Sequence, residues 1–94
     1  MLQLGPNLIQ FQTVKELTEH CPAAKEIQQE LTNVNQQTGI KWVFANGFWD
    51  QAKNKCSVIY HHSDEPANEE YQLTVFAKQA GNSWQVSHQL KQPN

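Results

Sequence analysis

Residues 71–91 read YQLTVFAKQAGNSWQVSHQLK, and this stretch decides the fold. Tyr71, Leu73, Val75 and Ala77 alternate with Gln72, Thr74, Phe76 and Lys78, the period of two expected of a strand with one buried face. Ala80-Gly81-Asn82-Ser83 then turns the chain. Beyond it, Trp84, Val86, His88 and Leu90 are predicted to point inward, with Gln85, Ser87, Gln89 and Lys91 outward. Two such strands joined by a tight turn make an antiparallel hairpin with one face on a core and one face wet.

Working upstream, Cys56–His62 predicts another strand. Cys56, Val58, Tyr60 and His62 fall on one side, and Ser57, Ile59 and His61 on the other. Ser63–Glu70 is an acidic connection containing Pro66. Earlier still, Ile40, Trp42 and Phe44 alternate with Lys41 and Val43. Asn46-Gly47 has two readings. It is a strong hairpin dipeptide, or it is a bulge inside one longer strand reaching Trp49, with the turn at Asp50–Asn54. The bulge is preferred because Phe48-Trp49 continues the apolar content while residues 51–55 have loop composition.

The N-terminal third is helical in pattern. Thr13 followed by Glu16 forms a capping box, in which each side chain satisfies a free backbone N–H of the other residue. Val14, Leu17, Cys21, Ala24, Ile27, Leu31 and Val34 recur in steps of three or four and define one helical face. Pro22 either kinks one helix or begins a second; the preferred division is 14–20 and 22–37, nearly in line, with Gly39 as C-cap. Gln92-Pro93-Asn94 reads as a tail. The expectation is a single α+β domain over residues 1–94. A helical segment, one kinked helix or two short ones, packs on a four- to five-stranded antiparallel meander sheet. In element order alone this resembles cystatin-like and NTF2-like folds, architectures that host many functions.

Composition narrows function by exclusion. Seven basic against nine acidic residues leave a net charge of −2, and all seven basic residues are Lys. A nucleic-acid face usually draws on an excess of basic charge and on bidentate Arg contacts, so no nucleic-acid partner is expected. No apolar run has the length of a membrane span, and residues 1–12 lack the pattern of a signal peptide. The reading is therefore no membrane and a cytoplasmic location, or an extracytoplasmic one if Cys21 and Cys56 are bonded. That bond would close a loop of about 35 residues, worth roughly 3–4 kcal/mol. The alternative, two buried thiols acting as small hydrophobes, stands level with it.

No constellation of catalytic residues emerges, so the chain is expected not to be an enzyme and to need no cofactor. His20, His61, His62 and His88 lack metal-ligand spacing, and no metal site is expected. Asp64 and Glu65, with Glu69 and Glu70, form either a solvated connection or a negative docking surface. Strict alternation cannot turn every aromatic inward. Phe48, Trp49 and Phe76 are therefore the candidate binding residues, since exposed aromatics anchor interfaces. The leading expectation is a small protein-interaction module, an inhibitor or immunity-type protein that occludes a larger partner; a homodimer would also cover the aromatics. The alternatives are a ligand-binding domain with a pocket between helix and sheet, lined by Trp42, Phe44, Trp84 and His88, or an envelope component stapled by Cys21 and Cys56.

Overall fold

The computed structural model describes residues 1–93; Asn94, the end of the expected tail, lies outside the described residues. The elements run β1 (Leu2–Gln3), β2 (Leu8–Phe11), α1 (Val14–His20), α2 (Ala24–Thr38), β3 (Trp42–Asp50), β4 (Lys55–His62), β5 (Gln72–Ala80) and β6 (Ser83–Lys91). All six strands join one antiparallel sheet in the order β1-β2-β3-β4-β5-β6. The two helices pack on that sheet, so the architecture is α+β.

The helices follow their local chemistry. The Glu16 backbone N–H donates to Thr13 Oγ1 at 3.1 Å, and the Glu16 carboxylate accepts from the backbone of Gln12 rather than of Thr13. Pro22 separates the two helices. The residue before a proline is driven out of the helical region, and Cys21 accordingly adopts φ −84° and ψ 119° as the C-cap of α1. Gly39 closes α2 in the left-handed conformation at φ 68°. Two contacts fasten that end to the sheet: the Trp42 backbone N–H donates to Asn35 Oδ1 at 3.0 Å, and its indole N–H donates to Thr38 Oγ1 at 3.2 Å.

The strand count corrects the expected four to five to six. The additional pair is the N-terminal hairpin β1–β2. These strands have two and four residues, too short to display a period of two, and the adjacent Leu8-Ile9 breaks alternation. They are held by pairing, β2 with β3 and β1 with β2, rather than by a pattern of their own. Phe11 lies opposite Gly47 and is completely buried. A Cβ added at Gly47 would stand 3.6 Å from the Phe11 ring, so the phenyl group covers the space the glycine leaves.

Asn46-Gly47 is not a turn. β3 runs straight through it, and its register against β4 shifts between Phe44 and Asn46, leaving Ala45 as the extra residue. This bulge reverses the side-chain parity of the strand. Trp42 and Phe44 face the helices before it, and Gly47 and Trp49 face them after it. The core is built from Phe11, Leu17, Ile27, Val34, Trp42, Cys56, Val58, Tyr60, Leu73 and Val75. These side chains pack between the helices and the sheet.

Candidate functional site

The uncovered face of the sheet carries the candidate site. Cross-strand register places Phe48, Ser57, Phe76 and Ser87 in one row across β3, β4, β5 and β6. The adjacent row is Asp50, Lys55, Lys78 and Gln85. Neighbouring strands lie about 4.8 Å apart, so the two phenyl groups straddle β4 at roughly twice that spacing. Lys55 extends along this face, its Nζ 4.9 Å from the centre of the Phe76 ring. That is within cation–π range.

Two open depressions flank Lys55. One, of about 300 Å³, is lined by Leu8, Phe48, Asp50, Lys53, Lys55 and Ser57. The other, of about 360 Å³, is lined by Lys55, Phe76, Lys78, Gln85, Ser87 and Gln89. A third, of about 580 Å³, lies at the far end of the same face between Gln72 and Lys91.

Four of the seven lysines gather around these depressions, while Lys15 and Lys25 sit on the helices and Lys41 precedes β3. Lys53, Lys55, Lys78 and Lys91 line the depressions, where Asp50 is the acidic residue. The other eight carboxylates sit on α1 and α2 (Glu16, Glu19, Glu26, Glu30) or on the β4–β5 connection (Asp64, Glu65, Glu69, Glu70). A chain of net charge −2 thus presents a locally basic face.

The expected binding residues do not form one patch. Phe48 and Phe76 share the open face, partly exposed. Trp49 does not: it points toward the helices, packs against the core and is only partly exposed. The parity reversal at Ala45 turned it inward. Asp64 and Glu65 are exposed beyond the opposite end of β4 from Lys53 and Lys55. There Asn68 donates to the Glu65 carboxylate at 3.3 Å, an internal contact of a solvated connection. The lysines of the site were missed because their common face appears only once register is known; the usable signal was Lys78 standing in phase with Phe76 on the polar side of the β5 alternation.

His62 and His88 are occupied separately. His62 packs edge-on against Tyr71 and Trp42, with centroids 4.6 and 6.1 Å away, and its Nδ1 accepts the Asp64 backbone N–H. His88 Nδ1 lies 2.8 Å from a Glu30 carboxylate oxygen, tying β6 to α2. Among the described residues, no group of three or more His, Cys, Asp or Glu is arranged to hold a metal ion. Nor is any described helix long and apolar enough to cross a membrane.

Cys21 and Cys56 meet inside the core, their sulfurs 2.6 Å apart. The contact with the Cys21 sulfur, followed by burial, holds the Cys56 thiol far above the ordinary thiol range. The same contact holds Cys21 below it.

Compared with known proteins, the chain matches no family model, no curated protein and no solved structure.

Proposed function

We propose that this protein is a non-enzymatic interaction module that docks an acidic, apolar-anchored segment of a larger protein on the open face of its sheet, and acts as an inhibitor or immunity-type protein by occluding that partner. The carrying observation is the pair of phenylalanine-floored depressions on either side of Lys55, bordered by Lys53 and Lys78. Apolar rings in a concave, polar-rimmed surface act as anchors. Lysines around them steer an oppositely charged partner and set its register. A regular sheet also keeps this surface in one shape, which limits the ordering cost of binding.

The test compares the wild type with Phe48→Ala/Phe76→Ala, Lys55→Glu/Lys78→Glu and a helix-side control, Lys15→Glu. Each is immobilised and exposed to extract from the native source. Carbodiimide, which joins a lysine amine to a carboxylate, then maps the contact. The expected result is a partner held by the wild type and the control, with affinity reduced about 30-fold in either sheet variant, the size of an interface hot spot. Crosslinks should join Lys55 or Lys78 to Asp or Glu of the partner. A partner indifferent to both sheet variants sinks the reading. Retention of single-stranded oligonucleotides, weakened by Phe48→Ala/Phe76→Ala, replaces it with base stacking.

A further inference from the structure

We propose that Cys21 and Cys56 are a disulfide site, a covalent clamp between the α1–α2 junction and the central strand β4. The two sulfurs come from opposite layers of the core and stand 2.6 Å apart, with Cys21 5% and Cys56 0% exposed. Each is positioned independently of the other. Cys21 is fixed by its own backbone: its N–H donates to the Leu17 carbonyl at 2.9 Å, its carbonyl accepts from Ala24 at 3.2 Å, and Pro22 holds it extended. Cys56 is fixed by the ladders on both sides of β4, opposite Trp49 on β3 and Ala77 on β5. Forming the bond closes the sulfur separation from 2.6 Å to a disulfide length of about 2.05 Å.

Competing roles for the pair fit less well. Two thiolates sharing a tetrahedral zinc, each about 2.3 Å from it, stand roughly 3.8 Å apart, and the described residues provide no third ligand. A nucleophile needs access and an electropositive setting, whereas this pair is enclosed by Trp49, Val58 and Ala77.

The chemistry is thiol–disulfide exchange with a disulfide oxidant of the glutathione or oxidoreductase class. The thiolate of one cysteine attacks the oxidant, giving a mixed disulfide and releasing one thiol. The second cysteine, as thiolate, displaces the other half. The sum is two protein thiols and one external disulfide converted to one protein disulfide and two external thiols, with the two protein thiol protons transferred to the departing thiolates. Enclosure in the core means that the exchange belongs to folding, before the helices close over β4.

The test starts from the reduced, denatured chain, refolded in mixtures of oxidised and reduced glutathione. The product is denatured in acid, alkylated, and analysed by intact mass and peptide mapping. The expected product is lighter by two hydrogens, takes up no alkylating agent, and yields one crosslinked peptide joining Cys21 to Cys56. It should melt roughly 10–20 °C above the same protein treated with reductant, while Cys56→Ser shows no difference between the two conditions. The wild-type comparison stands even if the variant does not fold. Two free thiols, or glutathione retained on Cys21, in folded protein under excess oxidised glutathione would overturn the assignment, as would an oxidised form that melts below the reduced one. The clamp lies on the helix side of the sheet and Phe48 and Phe76 on the other, so either proposal can fail without the other.

Discussion

Tyr60 stands in the middle of β4 with its ring edge-on to Phe44, the centroids 6.4 Å apart, and 2% of its surface exposed. Burial pushes its phenol well above the ordinary tyrosine value. The unfolded chain releases that proton above pH about 10, while the folded chain retains it. The stability it contributes is therefore present below that pH and is lost as pH rises further. Tyr60→Phe should flatten the alkaline limb of a stability profile measured by urea unfolding between pH 8 and 11; an unchanged limb would contradict this. Phe11 gives the opposite kind of prediction, one of packing alone. It is wholly buried over Gly47, and Phe11→Ala should cost about 3–5 kcal/mol in the same assay, whereas a loss below 1 kcal/mol would mean the N-terminal hairpin is dispensable. At this scale the alternating patterns of β4 and β5 made Val58, Tyr60, Leu73 and Val75 legible as core. Phe11 was not legible, because a lone aromatic in a four-residue strand has no period to betray its direction.

Among the elements, the bulge in β3 has the widest effect. One extra residue, Ala45, lets Trp42, Phe44 and Trp49 share the helix side while Phe48 takes the open side. Deleting Ala45 should restore strict alternation, forcing either the Trp42–Phe44 half or the Gly47–Trp49 half onto the wrong face. Circular dichroism and thermal unfolding should show loss of the cooperative transition; a native-like melt would mean that the strand re-registers freely. Gly39 allows a milder test. Its φ of 68° strains any side chain, so Gly39→Ala should cost about 1–2 kcal/mol. Both helices and the last four strands could be read in advance, since their caps, Pro22 and the Gly81 turn are local signals. The direction of Trp49 could not, because a bulge changes parity without marking the residues that follow it.

Over the whole molecule, the separation of charge and the sheet's two edges govern how it meets others. Net charge concealed the first: −2 overall suggests an acidic surface, yet eight of the nine acidic side chains gather on the helices and one connection while four of the seven lysines line the open sheet face. Only the register that brings Lys55 beside Lys78 makes this visible. If those lysines steer a partner, raising salt from 50 to 500 mM should slow association while leaving dissociation nearly unchanged, a split that stopped-flow mixing can read. The edges differ as much as the faces. β6 offers nine residues with a free outer side, whereas the opposite boundary, β1, has two. Backbone groups along a long uncovered strand can accept another strand; a two-residue strand gives almost no purchase. Among the described residues, a strand added along β6 would meet nine residues of unpaired backbone and one added at β1 only two, so pairing between copies is favoured edge to edge through β6.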